Sequence, residues 1–467
     1  MSSKVWKIGI CVLLPLVILS LPAPGGLSPV AWQLFGIYMA AIIGLVLRPF
    51  AEPVILLGVI AASGLAFGNI GSLLGGYASS TAWLVFSAFM IGTAFISTGL
   101  GHRIAYLLID QFGRTTLGLG YIAALTDLII SPATPSNTAR TGGIVYPIFQ
   151  SAAVALDSTP GPTARRIGAY LTMTLYHVSF TTGYTFLTAM APNALILAFG
   201  ESIFKIKVDW MLWAKAAIVP GLVTLFLIPW VVYKIYPPEL KKIDNRALAK
   251  KGLEKLGPMS MREKILSVLF VLAVLGWALG SYLKIDATSV AVGFVAACLL
   301  TGVITWEDLL ASKGAWGTFI WFGGIIGLAD TLAKAKFFDW LAKLVSTNVN
   351  FTGGNMLVIM AALVICSLVV RYLFASMAAY VASMIPVLFT IALAANVPVL
   401  PLFFLVAFSA GYGGMLTHYG GALGPILFGT GYIDQMTWWK IGAIVAIMSF
   451  LVTFIMGLFY WKIIGIW

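Results

Sequence analysis

A short polar run, Thr134-Pro135-Ser136-Asn137-Thr138, interrupts the apolar stretch 115–156 near its middle, and Arg140 follows at once. These residue types suit the capture of an anion. Pro132, just before the run, and Pro135 within it stop a helix arriving from the N-terminal side. Ser136 or Thr138 can cap a helix leaving on the other side. The free N–H groups and positive dipole end of that second helix then favour a carboxylate or a phosphate. Asn137 adds a donor and an acceptor at the same point. Arg140, one turn past the tip, carries a charge that cannot be removed and can grip a carboxylate with two parallel hydrogen bonds. A structural pair with Asp127 is the alternative. Asp127 sits nine residues before Ser136, or about 13 Å along a helix, and that difference in depth argues against the pair. The expectation is that Arg140 faces a bound anion.

A second set lies in the other half of the chain. Ser376-Met377-Ala378 breaks the apolar stretch 355–395, with Tyr380 four residues after Ser376, as Arg140 stands four after Ser136. Arg371 precedes this tip and reads as an anchor or structural partner. Thr417-His418-Tyr419-Gly420-Gly421 precedes Gly424-Pro425, and Pro192-Asn193 forms a similar break earlier. His418 can donate to a carboxylate or titrate. His177 reads as a core residue.

The elements that must hold these residues are membrane helices. The chain has 467 residues, of which 60% are hydrophobic and 9% charged, against roughly 25% charged in soluble domains. The runs 8–47, 53–102 and 372–433 contain no Asp, Glu, Lys or Arg, and about 20 apolar residues suffice for a crossing. Spans are expected at 8–22, 28–47, 53–69, 80–97, 167–200, 210–233, 265–283, 287–305, 316–333, 397–433 and 437–461. The stretches 115–156 and 355–395 are too long for one span each. Each is either a pair of crossings or a re-entrant hairpin that enters and leaves on one side. The net charge of +12 reads as positive-inside bias, not as nucleic-acid binding. Nine Lys/Arg fall in 234–264, which places that loop and the N-terminus in the cytoplasm and the C-terminus outside. Hairpins counted as two crossings leave this parity unchanged.

Spacing also reveals a repeat. The segment from Thr81 resembles the one from Gly317, and Ser136 and Ser376 are 240 residues apart. Pro147 pairs with Pro386, and Pro192 with Pro425. An odd number of crossings per half inverts the second half, the pattern of secondary transporters whose site sits where broken segments meet at mid-membrane. The chain divides into a first helix (1–27), a first repeat (28–233, hairpin 115–156), a basic loop (234–264) and a second repeat (265–467, hairpin 355–395).

These residues resemble the divalent anion–sodium symporter family. Pro135-Ser136-Asn137-Thr138-Ala139-Arg140, Thr417-His418-Tyr419-Gly420 and Phe428-Gly429-Thr430-Gly431-Tyr432 look like its citrate–succinate, tartrate–succinate and 2-oxoglutarate–malate exchanging branch. The resemblance implies an all-α integral membrane homodimer of about 11 transmembrane helices and two re-entrant hairpins, with a scaffold and an elevator-like transport domain in each subunit. It implies di- and tricarboxylate substrates bound by Ser136, Asn137, Thr138, Arg140, Pro192, Asn193, Ser376, Met377, Tyr380, Thr417, His418, Gly424 and Pro425. In sodium-coupled members both tips read Ser-Asn-Thr and help form sodium sites. Here the second tip departs from that pattern, Tyr380 replaces a His common in this branch, and Arg140 could supply the charge that sodium otherwise brings. Sodium-independent exchange in a cell membrane is the expectation, with sodium- or proton-coupled symport as the alternative and a channel less favoured. No cofactor or metal is expected: the sequence has no phosphate-binding loop and no metal-ligand spacing, and nucleophile-elbow spacing is absent.

Overall fold

A computed structural model describes residues 3–243, 246–349 and 354–467. It is helical throughout; among the described residues the one β-bridge joins Thr115 and Lys242. Nine helices there are long and apolar enough to cross a membrane by length and composition. Helix starts follow the sequence. Ser28 accepts from the Ala31 N–H with Pro29 in the first turn, Ser79 caps Ser80–Thr98, and Ser260 with Glu263 forms a capping box at Met261–Leu283. Gly68 and Gly99, with φ of 65° and 78°, end Glu52–Phe67 and Ser80–Thr98 in the left-handed region that favours glycine.

The same order of elements occurs twice along the chain. Ser80–Thr98 and Lys313–Lys334 pack through Phe86, whose ring centroid lies 4.9 Å from Trp316 and 5.3 Å from Phe319. Each is followed by a helix with one apolar and one polar face, Leu100–Phe112 and Phe337–Asn348. A hairpin then follows in each half, and then a broken helix. The first broken helix runs Gly168–Thr185, turns at Leu187–Ala189 and resumes at Ala191–Phe199. The second runs Val399–Tyr412, turns at Gly413–Leu416 and resumes at Leu423–Phe428. Their leading segments pack together, with Tyr184 stacked on Phe408 at 5.2 Å. Each resumed segment packs against the other half's hairpin: Ala191–Phe199 on Met377–Ala394, and Leu423–Phe428 on Thr138–Val145.

The first apolar stretch folds as a helical hairpin. At its outer end Thr116 donates its N–H to the Lys241 carbonyl, Arg166 donates to the Leu156 carbonyl, and the Leu240 N–H bonds the Arg166 carbonyl. Both arms therefore start from one side. In the second hairpin Ser367 and Tyr380, thirteen residues apart across the tip, have hydroxyl oxygens 2.5 Å apart, so the arms run back along each other.

The spans 167–200 and 397–433 are each broken, as the Pro192-Asn193 and Gly424-Pro425 breaks led one to expect: the first helix stops at Thr185 and the second at Tyr412. Two expectations change in detail. Glu52–Phe67 and Ala287–Leu300 are 16 and 14 residues, shorter than ordinary crossings. The basic stretch 234–264 is not all loop: Arg246–Leu256 is a helix lying on Leu100–Phe112. Its Gly252 faces the Tyr106 ring so closely that a Cβ there would lie 2.5 Å from ring carbon. Nearby, the buried Arg103 holds Glu263 at 2.6 Å and the Gly257 carbonyl at 3.0 Å.

Candidate anion site at the hairpin tips

The first arm, Thr116–Ile130, is capped by Thr115 and ends where Ser131–Ala133 tightens into one 3₁₀ turn before Pro135. Ser136 then accepts from the Ala139 N–H at 3.2 Å, the cap expected of it. The second arm opens in π-helical winding over Thr138–Val145 and becomes α-helical at Tyr146–Ala155. The tip is sewn to the first broken helix. The Ala191 N–H bonds the Pro135 carbonyl at 3.0 Å, and the Thr188 hydroxyl bonds the Pro132 carbonyl at 2.7 Å. Asn193 is buried and staples its own break, donating to the Gly183 and Phe186 carbonyls at 2.7 and 3.0 Å. Pro192 occupies the first turn of Ala191–Phe199, where its missing N–H costs nothing.

Arg140 does not stand free. It is fully buried and forms an ion pair with Asp127, Nε to Oδ2 at 3.0 Å. Its remaining donors reach the Thr134 carbonyl (2.8 Å), the Ala189 carbonyl (3.0 Å), Asn137 Oδ1 (3.2 Å), the Ser179 carbonyl (3.2 Å) and Thr182 Oγ1 (3.0 Å). Six acceptors surround five N–H bonds, so no donor remains for a carboxylate. Asp127 also accepts from the Thr141 and Thr182 hydroxyls. The expected depth mismatch between Arg140 and Asp127 assumed a straight helix through the tip. The helix instead stops at Ile130 and the chain reverses, so Arg140 returns to the level of Asp127.

The second tip is built differently. Ser376 again caps its helix, accepting from the Ala379 N–H at 3.2 Å. Met377 is partly exposed. Tyr380, expected to face the anion, is fully buried and points into a hydroxyl chain with Ser367 and Ser409, whose oxygens are 2.7 Å apart. The side chain has an apolar body, and the helix packs it inward because two hydroxyls wait there. In the second break, Thr417 is buried and its carbonyl accepts from the Tyr176 hydroxyl at 2.6 Å. His418 is partly exposed, stacks on Phe428 at 4.4 Å, and accepts from the Trp439 indole N–H at 3.1 Å through Nδ1. That leaves Nε2 as the donor nitrogen. Gly424 admits no side chain: a Cβ would lie 2.1 Å from the His418 carbonyl. Pro425 lies in the short helix that follows.

The structure thus joins Asn137 and Arg140 by a hydrogen bond beside the Ser136 cap, and the Ala191 N–H ties the tip to the break that holds Pro192 and Asn193. Tyr176 ties that half to Thr417 and the second break. Ser136, Asn137, Thr138 and His418 are partly exposed and keep polar atoms available to a ligand. Asp127, Thr141, Ser179 and Thr182 were not among the expected site residues. One signal pointed to the first: Asp127 and Arg140 are the only charged residues in 115–156, of opposite sign.

Residues 2–467 match the family model described as the sodium:sulfate symporter transmembrane region. An inner membrane protein of Escherichia coli K12, YbhI, is 49% identical over 100% of this chain and 99% of its own length. An L-tartrate/succinate antiporter of the same strain is 34% identical over 96% of each chain. The crystal structure of the YdaH transporter of Alcanivorax borkumensis is similar in fold, with a TM-score of 0.57 over 100% of this chain and 99% of that one, at 12% identity.

Proposed function

The chain belongs to the sodium:sulfate symporter transmembrane family, the divalent anion–sodium symporters, and is a multi-pass membrane transporter; from that premise we propose that it exchanges C4 and C5 dicarboxylates across a bacterial inner membrane without sodium. The observation that carries this reading is the environment of Arg140. The Thr134 carbonyl at the tip and the Ala189 carbonyl at the break converge on one guanidinium nitrogen, at 2.8 and 3.0 Å. Two converging carbonyls make a site for a cation, and here the cation is covalently part of the protein. No mobile ion is needed to complete the tip. Ser136, Asn137 and Thr138 on one side and His418 on the other then offer hydrogen bonds to carboxylate oxygens. The relative named as a tartrate/succinate antiporter supports both the substrate class and exchange.

In this reading the two hairpins and two broken helices move as a transport domain against a scaffold of the remaining helices, within a homodimer. The N-terminus and the basic stretch 234–264 lie in the cytoplasm. Liposomes carrying the purified protein and loaded with succinate, malate, tartrate, citrate or 2-oxoglutarate test it. Uptake of labelled succinate that needs internal dicarboxylate and ignores a sodium gradient is the expected result. Sodium-driven uptake into empty vesicles, or conductance without counter-substrate, would sink the proposal.

A further inference from the structure

Lys4, Lys7, Arg48 and Glu52 are the only Lys, Arg, Asp or Glu residues among the first 102, and the fold gathers them in one place. Lys4 holds its Nζ 4.7 Å from the centroid of the Phe50 ring, in the turn between Pro29–Leu47 and Glu52–Phe67. Lys7 follows one turn later on Ser3–Ser20, on the same face. Arg48 ends Pro29–Leu47 and pairs with Glu52 at 2.6 Å, its side chain still 48% exposed. Three positive charges and one negative charge thus meet at one end of three apolar helices.

Between those helices runs a trench, with Pro29–Leu47 as its floor. Gly36 admits Leu19 of the first helix so closely that a Cβ there would lie 2.9 Å from it, and Gly44 admits Ile55 of the third, at 2.5 Å. The first and third helices therefore sit against the middle one and leave a cavity of about 590 Å³ between them. Ile8, Cys11, Leu16, Val54, Gly58 and Ala62 line it, and no lining side chain is charged. Its one hydroxyl, that of Ser63, is spent on Asn69 Oδ1 at 2.9 Å. Phe50 lies at the charged end and Ala66 at the other. Glu52 to Ala66 is about 21 Å of helix, more than the roughly 15 Å of hydrocarbon in one leaflet. The trench is open along its side, where Val12 and Val54 are exposed.

We propose that this trench binds a phospholipid with an anionic head group, one acyl chain lying in the trench and the phosphate among Lys4, Lys7 and Arg48. Two features select this occupant. The hydrocarbon lining offers a polar ligand no partner along its length. The cationic mouth suits a phosphodiester, whose free oxygens accept from ammonium and guanidinium groups; an apolar helix of a second copy would leave that charge unmatched. The site is separate from the first tip but touches the second hairpin. Glu52 also accepts from the Ser376 hydroxyl at 3.4 Å, and the Tyr38 hydroxyl bonds the Ala382 carbonyl at 2.5 Å. A phosphate that draws Arg48 from Glu52 therefore acts on a residue in contact with that hairpin.

The test measures melting of the full-length protein in neutral detergent, with phosphatidylglycerol, phosphatidylcholine or inorganic phosphate added. Phosphatidylglycerol should raise the melting temperature by about 3 °C or more, and the other two should not. The gain should vanish in the double variant Lys4→Gln, Lys7→Gln. It should vanish also in Gly58→Phe, whose new side chain fills the trench from a position where a Cβ meets nothing within 4 Å. The double variant Lys250→Gln, Lys251→Gln removes the same charge from exposed positions on Arg246–Leu256 and should keep the gain. Equal stabilisation by phosphatidylcholine or by inorganic phosphate overturns the inference. So does a gain that survives the Lys4 and Lys7 changes, or one that the Lys250 and Lys251 changes abolish equally. A Gly58→Phe protein that keeps the gain but changes its mass by light scattering would assign the trench to a second copy and overturn it too. Should Gly58→Phe fail to fold, the two lysine pairs decide.

Discussion

Replacing Asp127 with Asn would leave Arg140 as a buried cation without a counter-ion. The pair lies at 3.0 Å with both side chains fully buried. At an effective dielectric of about 20 and a charge separation of about 3.5 Å, the attraction is about 5 kcal/mol. Desolvation offsets most of this while the pair is intact. Removing one partner alone exposes the full penalty, about 3–5 kcal/mol. The Thr141 and Thr182 hydroxyls also lose a charged acceptor. Against a native stability of about 5–15 kcal/mol, Asp127→Asn should shift reversible unfolding in lipid–detergent micelles by a large fraction of the total. The companion change Arg140→Met leaves Asp127 buried and should cost a similar amount. The double variant Asp127→Asn, Arg140→Met restores neutrality and should recover about 3 kcal/mol relative to the sum of the single changes. It should also fail to exchange without sodium, since the carbonyls of Thr134 and Ala189 would again lack a cation. Single changes that cost under 0.5 kcal/mol, or a strictly additive double variant, would refute the pair as the keystone of the first tip.

Three further outcomes are expected. Gly424→Ala forces a Cβ to within 2.1 Å of the His418 carbonyl; counterflow should be lost while the protein still reaches the membrane, and normal counterflow would contradict the geometry. Asn193→Ala strands the Gly183 and Phe186 carbonyls and should cost about 2 kcal/mol in the same unfolding assay, with no loss seen if the break does not depend on the staple. Arg103→Gln removes the buried partner of Glu263 and a bond to the Gly257 carbonyl. Helix Arg246–Leu256 should then be cut more readily by trypsin, and an unchanged digestion pattern would show that the pair does not secure it.

The hairpins, the breaks and the repeat could be read from the chain because each leaves a local mark. Hydropathy bounds the arms, Pro135 and Ser136 mark one tip, and the 240-residue offset aligns it with Ser376. The side-chain partners could not be read so directly. Arg140 was expected to face a ligand because the distance to Asp127 was counted along an unbroken helix, and a reversed chain cancels that distance. Tyr380 occupies the position of Arg140 in register, yet Ser367 and Ser409 draw it inward, which only the packing of three segments reveals. Arg371 read as an anchor, and it holds the Phe374 and Gly420 carbonyls of the second tip and break. For Arg140, charge neutrality of a buried segment was the better guide: 115–156 holds one charge of each sign, and the two pair.

The π-helical winding of Thr138–Val145 has a consequence for how such a carrier could diverge. A π turn holds one residue more than an α turn, so the arm carries a surplus residue just where Arg140 turns back toward Asp127. Deleting one residue there, for instance Gly142 or Gly143, would let the arm relax to α-helix and rotate everything on one side of it by about 100° relative to the other. The guanidinium would then swing off its carbonyls without any change in amino-acid type at the tip. A length change of one residue is thus enough to empty a cation site, and a single codon lost or gained could separate carriers that keep their cation from carriers that must borrow one.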